Sequence, residues 1–240
     1  MKRLTPFIII LAVLGVAIGS AWYMTRPKPA TEVGEPSPSG PAGSAPQGQA
    51  TPVAARTGVP GADPPHTLGP ANAPVKIEEF GDFECPPCGM FHPILKQMRQ
   101  EFGDQIQITY REFPLTPPHR HAVAAASAAE AAGLQGKFWE MHAMIFEHQN
   151  EWKTAFEVRS IFEDYARQIG LDVERFKRDV ESDRVEQRIF LDGKRGHSLG
   201  VNSTPTVFLN GREVPFTDLP PERLRVLIQN ELRAAGATQK

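Results

Sequence analysis

The sequence predicts an α/β domain with a helical insertion, set behind an apolar amino-terminal segment and a disordered linker. Three observations carry that reading. A short apolar run, Val75 to Phe80, leads through a cysteine-containing turn into Gly89 to Met98, where apolar residues recur at helical spacing. Near the other end, Thr206-Val207-Phe208-Leu209 and Glu213-Val214-Pro215-Phe216 flank Asn210-Gly211, a two-residue hairpin signal. Between these two strand regions, from about His121 to Leu199, the spacing is helical in successive blocks.

Residues 1–24 open with Met1-Lys2-Arg3, and the chain is then uncharged from Leu4 to Thr25. About twenty helical residues span roughly 30 Å, the thickness of a bilayer core. The segment reads as a membrane anchor, with Trp22 and Tyr23 where an interfacial aromatic belt would lie. A cleaved signal peptide is the competing reading, given the small residues Gly19, Ser20 and Ala21. Either segment exports the rest of the chain. The expected location is therefore the cell membrane, single-pass, with the domain in the periplasm or extracytoplasmic space, or soluble periplasmic or secreted after cleavage.

Residues 25–66 read as a linker. Twelve of the 23 prolines fall between Thr25 and Pro74, mixed with Gly, Ala and Ser, a composition that buries too little apolar surface to order itself. The folded domain is expected over 67–237. The formal net charge of −2 excludes a broad basic surface for nucleic acid.

Within the domain, Val75–Phe80 is a strand and Cys85–Phe102 a helix. Ile106 to Tyr110 alternates with period two and reads as a second strand. An insert over about 119–200 comes next, with helices at 121–132, 138–146, 155–169 and 173–181 and a last one running through Ile189. The hairpin succeeds it, then a closing helix from about Pro220 to Ala235, with Asp218 as its expected cap.

Cys85 and Cys88 are the only cysteines, spaced C-x-x-C. A strand, a tight turn and a helix in that order put Cys85 at a helix N-terminus, where unpaired N–H groups and the dipole favour negative charge. That lowers a thiol pKa and makes Cys85 a candidate redox nucleophile. One C-x-x-C supplies only half of a structural zinc site, so zinc is set aside and no metal or cofactor is expected. An inert staple is disfavoured as well, because closing so short a loop removes little unfolded-chain entropy. Pro86 and Pro87 suit the first helical turn, where their missing N–H groups cost nothing. Taken alone, Pro205 is an ordinary trans proline and Glu79 a strand-end glutamate reaching solvent. His92 reads as an exposed helix residue, and Trp139, Met141, Met144, Ile145 and Phe146 as packing of the insert.

The domain resembles the DsbA-like family of extracytoplasmic disulfide oxidoreductases, a thioredoxin fold with a helical insertion. Four stretches carry the likeness: Gly69 with Ala73-Pro74-Val75; Glu79-Phe80-x-Asp82-Phe83-x-Cys85-Pro86-x-Cys88; Pro93 in the active-site helix; and Val201-Asn202-Ser203-Thr204-Pro205 running on through Thr206 to Gly211. The resemblance implies an exposed Cys85 that forms mixed disulfides, a buried Cys88 that resolves them, and a cis Pro205 with Thr204 presenting a backbone edge to clients. It also implies a buried Glu79 relaying protons to or from Cys88. Implied partners are exported proteins with cysteine thiols and a quinone-linked membrane oxidase of DsbB or VKOR type, with the chain itself a monomer. Pro87 stands where the strongest oxidants of the family carry histidine, and Asp82 and Glu84 add negative charge nearby. A reductase or isomerase of the same fold, or a tethered binding module with an idle disulfide, therefore stays open beside the oxidase.

Overall fold

A computed structural model describes residues 57–238. The expected anchor over 1–24 and most of the expected linker lie outside them. No helix of the described residues is long and apolar enough to cross a membrane.

The described residues build a five-stranded sheet in the order β1-β3-β2-β4-β5. Its strands are β1 (His66–Leu68), β2 (Val75–Gly81), β3 (Ile106–Glu112), β4 (Thr206–Leu209) and β5 (Arg212–Val214). Helix α1 (Pro86–Phe102) carries the chain from β2 to its parallel neighbour β3. The insert holds α2 (Ala122–Gly133), α3 (Phe138–Glu147), the one-turn α4 (Gln149–Trp152), α5 (Arg159–Gln168), α6 (Val173–Val180) and α7 (Asp183–Leu199); α8 (Pro221–Thr238) closes the chain.

Period two on β2 and β3 decides what each face buries. Val75, Ile77, Ile106 and Ile108 point into a core with Phe91, Leu95 and Met98 of α1 and Leu224 and Ile228 of α8. Higher on the sheet Tyr110 belongs to a second core with Phe83, Met141, Ile145 and Trp152. On the opposite face Phe80 packs with Phe113, Phe208, Val201 and Leu199. The insert residues expected as packing do pack: Met141, Ile145 and Phe146 are buried, with Trp139 and Met144 against them.

Three expectations are corrected. The linker boundary at 66 falls inside β1, and contacts begin earlier still. Arg195 donates to the carbonyls of Thr57 and Val59, while the Ala62 N–H donates to Asp192 at 2.7 Å. The second hairpin strand stops at Val214, because Pro215 has no N–H to continue the ladder. Asp218 does not cap α8. It ends a 3₁₀ turn three residues before the helix, and its carboxylate accepts from Arg223. The turn itself is as read: Asn210 and Gly211 have φ of 47° and 76°, the type I′ pattern, and β4 pairs antiparallel with β5.

Gly69 lets the chain leave β1 for β2. Its φ is +97°, and a Cβ there would lie 2.4 Å from the carbonyl oxygen of Ile106. Backbone cannot yield as a flexible side chain would, so Gly69→Ala is expected to destabilise by about 2 kcal/mol or more. Urea denaturation checks this; an unchanged midpoint would contradict it.

Candidate active site

Cys85 is the N-cap of α1, with φ −68° and ψ 120°, and Pro86 and Pro87 occupy the first two helical positions. Its side chain caps nothing, which leaves the sulfur free for chemistry. The turn before it is tied down by Asp82. That buried carboxylate accepts from the N–H groups of Glu84 and Leu115, each at 2.8 Å, and from His119 Nδ1 at 2.7 Å. The Glu84 carboxylate accepts from the His121 N–H at 2.6 Å.

Across from the helix start lies the loop that ends in β4. Its Thr204–Pro205 peptide is cis, and the Thr204 carbonyl accepts from Cys85 Sγ at 3.2 Å. This contact corrects one expectation: Cys85 is only 5% exposed, because the Thr204 loop leans over it. Cys88, one helical turn on, is fully buried as expected.

The two thiols are inequivalent. A hydrogen bond from the Cys88 thiol is the largest influence drawing Cys85 down to about 6; partial burial opposes it, and Thr204 and the Cys88 N–H add to it. The Thr204 hydroxyl has no other partner and is free to serve the ionised sulfur. Asp82 pushes the other way, as its charge suggested. Burial first, then the hydrogen bond to Cys85 and the neighbouring Glu79, drives Cys88 well above the usual thiol range.

The alternation of β2 gives the adjacent acids Glu78 and Glu79 opposite surroundings. Glu78 faces Arg111 and Arg195, which hold it below the usual carboxylate range against the cost of its burial. Glu79 is 2% exposed on the face of Val75 and Ile77, so the solvent-reaching alternative does not hold. Burial, then the nearby Cys85, raises it to about 8, and its Oε1 has no hydrogen-bond partner.

His92 is not the exposed residue expected. It stacks on Phe146 at 5.4 Å and contacts His142, and burial lowers its pKa. Gln149 went unnoticed in the sequence, since nothing local marks a glutamine some sixty residues downstream. Its buried amide donates to the carbonyls of Phe83 at 2.7 Å and Cys85 at 2.9 Å, so α4 grips both sides of the turn.

The lowered Cys85 predicts a measurable reactivity profile. Thiolate is the alkylated form, so iodoacetamide reactivity of the reduced protein should hold above pH 6 and fall below it with a midpoint near 6. A midpoint at the ordinary thiol value near 8.5 would contradict the geometry.

Comparison with known proteins agrees with this architecture. Residues 62–230 match the family model described as Thioredoxin. Over 150 residues the chain is 41% identical to the Na(+)/H(+) antiporter NhaA 1 of Salinispora arenicola, a match covering 62% of this chain and 22% of that protein. The chain thus spans about a fifth of the length of that curated relative. Among solved structures, BdbD from Bacillus subtilis in its oxidised form aligns with a TM-score of 0.65 and 22% identity, over 75% of this chain and 98% of that one. The thiol-disulfide exchange protein α-DsbA2 from Wolbachia pipientis aligns at 0.59 and 24%, over 69% and 86%. The match over residues 62–230 and the shared architecture place the chain: it belongs to the thioredoxin family, in the DsbA-like form of that fold.

Proposed function

We propose that the protein is an extracytoplasmic thiol:disulfide oxidoreductase that introduces disulfides into exported proteins through the Cys85–Cys88 pair. The observation that carries this is the split between the two thiols, one drawn down to about 6 and its neighbour driven up. In the oxidised form a client thiolate attacks Cys85, the Cys85–Cys88 bond breaks, and its electron pair stays on Cys88, which takes up a proton. The client's second thiol then displaces Cys85 as a thiolate, a good leaving group because its pKa is low. A stabilised Cys85 thiolate favours the reduced pair, which makes the pair oxidising toward clients.

Thr204 and Pro205 supply the backbone edge against which an extended client would lie. Beside them a groove of about 220 Å³ is lined by Pro87, Met90, Ile94, Pro205 and Phe216, with Met90 65% and Phe216 61% exposed. Such a surface suits unfolded apolar chain more than one folded partner. Glu79 is the group that exchanges a proton with Cys88. The apolar segment at 1–24 supports tethering to the membrane, with a quinone-linked enzyme of DsbB or VKOR type reoxidising the pair.

Two measurements test the proposal. Cys88→Ala should accumulate mixed disulfides through Cys85 with exported clients, and the wild-type pair should have a potential well above thioredoxin's, about −270 mV. A potential at or below that value sinks the oxidase in favour of a reductase. Absence of any trapped client leaves only a peptide-binding role.

A further inference from the structure

Resting on that reading, we infer that His119 is a positioning residue for the exchange reaction, supplying the positive charge that balances Asp82 beside Cys85. The Asp82 carboxylate belongs to the turn that ends in the reactive sulfur. Its Oδ1 accepts from the Glu84 N–H at 2.8 Å, and the Asp82 carbonyl accepts from the Cys85 N–H at 3.1 Å. Its Oδ2 takes both ends of a short loop, accepting from the Leu115 N–H at 2.8 Å and from His119 Nδ1 at 2.7 Å. The loop closes on itself through the His119 N–H, which donates to the Leu115 carbonyl at 3.0 Å. Backbone bonds thus already fasten the loop; the imidazole adds a group able to carry charge.

The Asp82 side chain is fully buried, so solvent does little to screen its charge, whereas His119 keeps 19% of its side chain exposed and can exchange protons with water. A carboxylate held in such a place calls for a counter-charge. Among the described residues His119 is the one ion-pair partner of Asp82.

No other group around the turn fills that role. Cys85 on α1 and Tyr110 and Glu112 on β3 all feel the Asp82 charge, and none of them can be a cation. Glu84 is a second acid, bonded to the His121 N–H. Arg120, the next residue of the loop, donates to the Ala155 carbonyl and to His121 Nε2.

While the disulfide is closed, neither sulfur carries charge and Asp82 stands without an anion at Cys85. In the reduced pair the Cys85 thiolate joins it within one turn, and the two repel. A cationic His119 paired with Asp82 lessens that repulsion. It therefore favours the reduced pair, and with it the transfer of the disulfide to a client. The bonds made and broken are those of the exchange described above. His119 shifts their equilibrium, acting through Asp82.

The test uses the full chain and two measurements: the pH midpoint of Cys85 alkylation by iodoacetamide, and the equilibrium of the pair with a glutathione buffer at pH 6. His119→Gln keeps a donor for Asp82 and lacks the charge. It is expected to weaken Cys85 as an acid, and the pair as an oxidant, by about three- to tenfold, tenfold being about 30 mV for a two-electron couple. In an Asp82→Asn background the same substitution is expected to change both by less than about twofold, because the charge it balances is gone. Wild-type values in His119→Gln overturn the inference. So does an equal loss in both backgrounds, which would mean that the ring acts without Asp82. Should Asp82→Asn melt early, His119→Lys decides, since it restores a positive charge on a different shape. Values nearer wild type than those of His119→Gln support charge balance, and values equal to them reject it. A potential at thioredoxin's value with this coupling intact sinks the oxidase alone. A pair that never exchanges with glutathione refutes the functional reading itself, while the alkylation midpoints still judge His119.

Discussion

Cys85→Ser is expected to abolish disulfide exchange, with a loss of about a thousandfold or more and in practice beyond detection. Serine keeps the size of the side chain, yet its hydroxyl does not ionise near neutral pH and cannot form the mixed disulfide. The effects that draw Cys85 down to about 6 would have nothing to act on. The same substitution should leave stability within about 1 kcal/mol, because the residue caps no helix N–H with its side chain. Assaying oxidation of a reduced peptide with two cysteines, next to thermal melting, separates the outcomes. Residual turnover above the uncatalysed rate would mean that Cys88 can act first, against its burial.

Arg111→Met should cost the most stability of any change outside the apolar cores. The Arg111 side chain, 10% exposed, meets Glu78 at 2.9 Å, Asp192 at 2.8 Å and the Ala62 carbonyl at 2.8 Å. Glu78 would keep Arg195, at 2.8 Å. Asp192 would keep only N–H donors while remaining 1% exposed. Stranding a buried charge in this way costs about 3–5 kcal/mol, or roughly 10 °C in Tm at this size. The pH dependence has a defined sign. Burial already raises Asp192, and Arg111 is the main influence holding it down. Without Arg111 its folded pKa rises further, so the penalty is absent below the unfolded value near 4 and grows as pH increases through the folded one. The variant's deficit should therefore be smaller at pH 4 than at pH 8, and Arg111→Met with Asp192→Leu should recover much of it. An equal deficit at both pH values would point to lost packing instead.

Much of this molecule could be read from residue order, because its strongest signals are local. The apolar run into Cys85-Pro86-Pro87-Cys88, the alternation of Ile106 to Tyr110 and the Asn210-Gly211 turn each fix a conformation within a few residues. What escaped depends on tertiary placement. Strand β1 is three residues long and exists because it pairs with β3. The burial of Cys85 comes from a loop more than a hundred residues away. Gln149 bears no motif at all, and its meaning appears only when the insert closes on the turn before Cys85. Glu79 lay between: the acid was visible, but its face required the pairing with β3 and β4.

The grip of Gln149 has a consequence for anyone trimming this domain toward a minimal thioredoxin. Its amide is the side-chain partner of the Phe83 and Cys85 carbonyls, so excising the helical segment would strip those two oxygens of it beside the reactive sulfur. Water would then enter from behind the cysteine, or the turn would relax. Either way the insert is part of the electrical insulation of the Cys85 thiol, and no neutral graft on the sheet.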